Sequence, residues 1–397
     1  MSNKFDDIMR SARALEPELR QIREHFHRHP ELSGEEYHTS EEISRRLEAA
    51  GCEIMDLGLD TGVVARLPGK PGEPVIALRA DIDALPLTER TGLPYESESS
   101  GLMHACGHDA HISWGLGAAL ILASMEDRPP GEIRFLFQPS EEKTSGARVL
   151  VDAGALRGVD YVFGGHNKPD LPSGVVGISE GYLMASSGRF SFRVVGKGGH
   201  GAIPHLTIDP MPAVGSIISG IQSIVARNVN PLDSAVISVG AIHSGTAGNI
   251  IPPDAEIAGT MRSFRPEVGD LIETRLRDLV NGAAATHGCS VEWLALERGV
   301  SAVNNHPEAT RIARASVSDL LGEEKIVEAV PVMASEDFSV YQERVPGCFL
   351  WIGSGHPDRL DGPGWHHPEF AADPDCIPVG AAILASAAVG AMTRTVE

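Results

Sequence analysis

Apolar and polar positions follow two different grammars along this chain. From Asp7 to Phe26, Ile8, Leu15, Leu19 and Ile22 fall near helical spacing, and Thr39 or Ser40 opens a second helix that Gly51 closes. Short β-rich runs follow at Gly62 to Leu67 and Val75 to Leu78. A Gly/Ala-rich helical stretch from Trp114 to Met125 comes next, and then Ile133 to Phe137. Strands alternating with helices predict an α/β sheet with catalytic groups at strand ends. Near residue 183 the pattern changes: Phe190, Phe192 and Val194 alternate with polar residues, as in a sheet with one wet face. A helix from Pro210 to Val225, strands at Ala235 to Ala241 and Ala255 to Met261, a helix from Val268 to Ala285 and a strand near Val291 to Leu296 complete a β-α-β-β-α-β string. From about Asn305 the first grammar resumes and ends in an Ala-rich helix after Pro378.

The expected architecture is therefore α/β: a discontinuous first domain with a mixed sheet flanked by helices, at 1–183 and 299–397, and a smaller inserted α+β domain, a satellite of the first, at 184–298. A length of 397 residues suits two domains. Lys and Arg number 33 against 54 Asp and Glu, a formal charge of −21, the wrong sign for a partner of nucleic acid. No apolar run approaches the roughly 20 residues of a membrane span, and Met1 to Arg10 is polar and acidic where a signal peptide would be basic and then apolar. The expectation is a soluble cytoplasmic protein with no membrane partner. Five scattered cysteines, at 52, 106, 289, 348 and 376, argue against a disulfide framework, so any special cysteine is a thiolate candidate.

The densest chemistry is the string His104-Ala105-Cys106-Gly107-His108-Asp109-Ala110-His111. It reads either as a polar loop opening a helix, with Asp109 as a cap, or as a ligand cluster. A soft thiolate and an imidazole two residues apart, across a glycine that permits a tight turn, can present two donors to one borderline metal. At Phe137 to Glu142 a buried-looking strand ends in the pair Glu141-Glu142. On an extended segment that pair would point opposite ways and divide into two roles; a solvated loop start is the alternative. His166 closes Gly164-Gly165-His166 at the end of a Tyr161 to Phe163 strand, and Trp365-His366-His367-Pro368 lies near the C-terminus.

Nine motifs in this order resemble the metal-dependent aminoacylase and carboxypeptidase superfamily, in the branch of hippurate hydrolases, indole-acetyl-amino-acid hydrolases and N-acetyl-diaminopimelate deacetylases. They run from His29-Pro30-Glu31-Leu32-Ser33 and Arg79-Ala80-Asp81-Ile82-Asp83-Ala84-Leu85-Pro86, through the Cys106 string, Gln138-Pro139 with the Glu pair, Gly199-His200-Gly201, Gly248 to Pro252 and Gly259 to Arg262, to Ser335-Glu336-Asp337-Phe338 and His366-His367-Pro368. The resemblance implies two divalent ions per subunit, zinc, manganese, cobalt or nickel. Cys106 would bridge them, with His108 and His366 completing one site and Glu142 and His166 the other. His367 is the alternative to His366. It further implies Glu141 as general acid/base, His200 as the group that polarises the scissile carbonyl, Asn249 and Arg262 as holders of the substrate's amide and carboxylate, and Asp83 and Asp109 as carboxylates orienting ligating imidazoles.

The implied activity is hydrolysis of an N-acyl amino acid to a carboxylic acid and an amino acid, by a homodimer or higher homo-oligomer. A dipeptidase or carboxypeptidase using the same centre is the second reading, and a metal-loaded, non-catalytic binder of acyl amino acids the third. Lys143 to Gly146, in place of glycines after the Glu pair, and Asn167-Lys168, which lacks an aromatic residue after His166, depart from related sequences on the acyl side of the site.

Overall fold

The computed structural model describes residues 4–393; the outermost positions of the first and last expected domain segments, 1–3 and 394–397, lie outside them. Short strands and turns aside, the elements run α1 (Lys4–Arg28), α2 (Tyr37–Ala49), β1 (Val63–Leu67), β2 (Val75–Asp81), α3 (His108–Ala123), β3 (Glu132–Gln138), β4 (Tyr161–Pro172), β5 (Ser186–Val195), α4 (Pro210–Asn228), β6 (Ala235–Ser244), β7 (Asp254–Ser263), α5 (Pro266–Thr286), β8 (Ser290–Arg298), α6 (Pro307–Leu321), β9 (Gly347–Gly355) and α7 (Cys376–Thr393). Two compact units result. One runs up to Leu183 and resumes at Val303–Val330 and from Asp337 onward; the other holds Met184–Ala302 and Pro331–Glu336.

The first unit is built on an eight-stranded mixed sheet whose long strands lie in the order β1-β3-β2-β4-β9. β2 pairs in parallel with β3 and β4, and β9 in parallel with β4, while β1 runs antiparallel to β3. Helices α1, α3, α6 and α7 pack together against this sheet. Burial on both faces explains why β3 and β9 read as apolar runs rather than alternations. α7 corrects one expectation: its 18 residues are apolar enough for a membrane span by composition, but 83% of them are buried inside the unit, as befits a core helix. α3 also starts six residues earlier than its apolar pattern predicts, because the buried polar groups of His108, Asp109 and His111 occupy its first turn where hydrophobic residues would otherwise mark the periodicity. β4 likewise continues past Phe163, so His166 sits inside a strand and not at its end.

The second unit is a four-stranded antiparallel sheet in the order β6-β7-β5-β8. Phe190, Phe192, Val194, Ile257 and Met261 point to one face, which α4 and α5 cover with Ile217, Ile221, Ile272, Leu276 and Val280. The alternation in β5 is the signature of that single covered face.

Candidate metal centre

The centre begins where two parallel strands end together. Asp81 at the end of β2 lies in register with Gln138 at the end of β3, and the Ile82 N–H donates to the Gln138 carbonyl at 2.9 Å. Groups leaving the carboxyl ends of neighbouring parallel strands converge, so Asp83 and the Glu pair emerge side by side. Ser140 takes a left-handed φ of 53°, with its N–H donating to Glu36 Oε1 at 2.8 Å. A Cβ on Gly146 would stand 1.5 Å from the Pro139 carbonyl oxygen, so only glycine lets this turn close. Glu141 and Glu142 therefore sit in a tight turn, not on extended chain, and both carboxylates come within 4.8 Å of a His108 ring nitrogen.

Gly107 shapes the opposite wall. Its φ of 87° opens α3, and a Cβ there would lie 2.4 Å from Asn167 Nδ2. The turn brings Cys106 Sγ to 3.4 Å from His166 Nε2, while His108 becomes the first residue of the helix. The third wall is the loop with His366, at a left-handed φ of 60°, whose N–H donates to the Ala105 carbonyl at 2.9 Å. Non-glycine residues held at positive φ at such points mark backbone strain at a functional site.

Donor atoms of Cys106, His108 and His166 form one three-membered group within 4.8 Å, and those of Cys106, Glu142 and His366 another. Cys106 is common to both. The division differs from the implied one, which joined His108 to His366 and Glu142 to His166. The reason is chain geometry: His108 and His166 project from α3 and β4 beside the Cys106 turn, whereas His366 Nε2 lies 3.4 Å from Glu142 Oε1. His367 belongs to neither group; it is exposed, and its Nδ1 accepts the Glu369 N–H at 3.1 Å.

Neighbouring groups fix the imidazoles. His108 Nδ1 donates to the Asp83 carbonyl oxygen at 2.8 Å and lies 3.2 Å from Asp83 Oδ1. Asp83 Oδ2 in turn accepts from Ser33 Oγ at 2.6 Å and from the Glu142 N–H at 3.0 Å. His166 Nδ1 donates to the Asn167 carbonyl at 2.8 Å. Each ring thus presents Nε2 to the centre. Burial opposes a charge on His108, but Asp81, Asp83 and Glu142 outweigh it and carry its pKa up to about 10. Burial, with Glu142 and Glu141 nearby, pushes the Cys106 thiol well up. Burial and His111 hold His166 well down.

A metal pair fits these residues. Among the described residues, His108 Nε2 and Glu142 Oε1 are buried without a hydrogen-bond partner, a state that costs about 1–3 kcal/mol per group unless something else meets it. One sulfur, three imidazole nitrogens and one carboxylate oxygen form a mixed set suited to a borderline divalent cation, which would also offset the cost of a buried thiolate.

The remaining candidates have other partners. Asp109 accepts from Arg23 Nε and His27 Nδ1, both at 2.9 Å, and so braces α1 against α3 without orienting any of the three candidate imidazoles. His200 and Asn249 are exposed neighbours in the second unit, where Gly199–His200 pairs with Ile250–Ile251 and the Gly201 N–H donates to the Asn249 carbonyl at 2.9 Å. Arg262 on β7 is half-buried and donates to the Met261 carbonyl at 2.9 Å; burial lowers its pKa. The sequence reading missed Asp81, which takes His111 Nδ1 at 2.5 Å, although the alternation Arg79-Ala80-Asp81-Ile82-Asp83 puts both aspartates on one side of a strand end. It also missed Asn167 and Glu36, for which no local pattern exists.

With this geometry in view, likenesses to known proteins fall into line. N-acetylcysteine deacetylase of Bacillus subtilis is 42% identical over 378 residues, covering 95% of this chain and 97% of the relative. Thermostable carboxypeptidase 1 of Saccharolobus solfataricus is 39% identical over 388 residues, covering 97% of this chain and 98% of the relative. The crystal structure of the Bacillus subtilis YXEP protein, described as a dinuclear metal binding peptidase from the M20 family, superposes with a TM-score of 0.85 at 39% identity, covering 96% of this chain and 99% of that one. The sequence profile of peptidase family M20/M25/M40 matches residues 77–389, a span that holds all five donors and the Glu pair, and the chain belongs to that family.

Proposed function

We propose that the chain is a metal-dependent amidohydrolase that cleaves the amide bond of an N-acyl amino acid, releasing a carboxylic acid and an amino acid. The observation that carries this reading is that two donor groups, Cys106 with His108 and His166 and Cys106 with Glu142 and His366, share one sulfur, while a second carboxylate, Glu141, lies within 4.8 Å of the donor atoms of His108 and Glu142. Cys106, His108 and His166 would hold one divalent ion, and Cys106, Glu142 and His366 the other; zinc, manganese, cobalt and nickel all suit the set. When bound, such ions supply Lewis-acid stabilisation of the charge that builds on the amide oxygen. Glu141 takes a proton from the attacking water and delivers it to the amine nitrogen as the C–N bond breaks. His200 donates to the scissile carbonyl oxygen, and Asn249 and Arg262 hold the substrate's amide and carboxylate. Asp83 keeps His108 in the tautomer that ligates. The second unit serves as lid and dimerisation domain of a cytoplasmic homodimer or higher homo-oligomer, as the resemblance implies.

The second reading, a dipeptidase or carboxypeptidase, draws on the 39% identity to the Saccharolobus carboxypeptidase. Attack on an activated carbonyl does not depend on what lies beyond the amide, so the same centre serves either substrate. A turnover screen of metal-loaded protein on acetyl, benzoyl and indole-acetyl amino acids and on dipeptides, read as amine release, separates the two. Preference for the acyl amino acids by tenfold or more in kcat/KM is expected; preference for dipeptides reverses the order, and silence on both classes leaves the non-catalytic binder.

A further inference from the structure

Asn167 is fully buried, and its carboxamide uses all of its hydrogen-bonding capacity on separate stretches of chain. Nδ2 donates to the Cys106 carbonyl at 2.6 Å and meets His111 Nε2 at 3.0 Å. Oδ1 accepts from Trp365 Nε1 at 3.0 Å and from Ser354 Oγ at 3.3 Å. The partners fix which way the amide faces: turned over, it would set an oxygen against the Cys106 carbonyl and an N–H against the indole N–H. Its main chain is committed too, the carbonyl to His166 Nδ1 at 2.8 Å and the N–H to His111 Nε2 at 3.0 Å. One residue therefore ties together the Cys106 turn, the His166 strand and the loop that carries His366 directly after Trp365. Gly107 lacks the side chain that would push this amide away.

The geometry points to Asn167 as a positioning residue that sets the spacing of the Cys106, His166 and His366 donors and thereby the affinity and symmetry of the metal site. Nothing in the amide touches the reacting atoms. It acts through three segments far apart in the chain, and a displacement of any of them by a fraction of an ångström spoils a coordination polyhedron. This inference rests on the metal-centre reading above.

The test is cobalt(II) titration of the metal-stripped full-length protein, followed through the thiolate-to-cobalt absorption in the near ultraviolet and the visible ligand-field bands. Asn167→Leu keeps the volume and removes all four side-chain hydrogen bonds; Asn167→Asp keeps the acceptor and places a second oxygen against the Cys106 carbonyl. Both should bind cobalt about ten- to a hundredfold more weakly, the usual cost of losing a group that orients ligands, with altered ligand-field bands. At saturating metal, kcat should fall while KM moves less than twofold. Trp365→Phe and Ser354→Ala each remove one acceptor-side bond and should shift affinity in the same direction by a smaller factor, which keeps the test decisive if the Asn167 variants fail to fold. Wild-type protein that binds no cobalt would refute the metal centre itself. Wild-type protein that binds it, together with variants of native affinity and unchanged bands, would overturn the role of Asn167 alone.

Discussion

The two units hold their candidate residues in opposite ways. In the first, Cys106, His108 and His166 are buried, and each ring nitrogen that faces away from the centre is spoken for by a carbonyl or carboxylate. In the second, His200 and Asn249 are exposed at a two-stranded ribbon, and His200 Nδ1 accepts the Ala202 N–H two residues on, at 3.1 Å. A sheet covered on both faces can afford a rigid, preorganised donor set, because every polar atom in it must find a partner. A sheet with one wet face leaves its loops free to present side chains to a ligand. The contrast suits the proposed division of labour, in which metal affinity belongs to the first unit and turnover also needs His200 of the second.

Removing the metal should break that division most completely. Prolonged chelation is expected to abolish turnover, and readdition of one divalent ion to restore it; full activity in a preparation that elemental analysis finds metal-free would sink the reading. Within the first unit, Glu141→Gln should lower kcat by at least about a hundredfold with metal content intact, within the range of general acid/base catalysis. Glu142→Gln should instead release metal, and the reverse outcome would show the two glutamates exchanged. In the second unit, His200→Ala should lower kcat by roughly a hundredfold to a thousandfold, the loss of one oxyanion donor, without any change in metal content. Loss of metal in that variant would erase the contrast between the units.

The smallest expected effect tests the buried brace of the first unit rather than its centre. Burial opposes a charge on His27, but Asp109 and Glu89 outweigh it and raise its pKa to about 9. A folded pKa above the unfolded value of about 6.5 means that His27 stabilises the fold fully below pH 6.5, and that this contribution is lost as pH rises towards 9. His104, which burial lowers to about 4, works the other way, since stability is lost as pH falls from 6.5. His27→Gln should therefore flatten the decline of chemical-denaturation stability between pH 6.5 and 9 and leave the acid limb unchanged. An unaltered alkaline limb would remove His27 from the account.

Much of this was written in the chain. The strand and helix grammar is legible because period 2 and period 3.6 survive wherever one face is covered, as in β5 with Phe190 and Phe192. The donor types are legible because a cysteine and three histidines within eight residues have few other uses, and because nine ordered motifs carry the family. Sequence alone could not group those donors. Whether His108 shares an ion with His166 or with His366 depends on where α3, β4 and the 366 loop meet, some 60 and 260 residues apart along the chain. Nor could it see that Asp109, one residue from His108, turns away to Arg23 and His27, since adjacent side chains on a helix point about 100° apart. Asn167 shows the limit most clearly. Its residue type is unremarkable and its neighbours in sequence reveal only His166, while the four bonds of its amide join positions 106, 111, 354 and 365. Local spacing dictates which atoms are available; only the closing of distant segments decides which of them share one buried volume and must satisfy each other there.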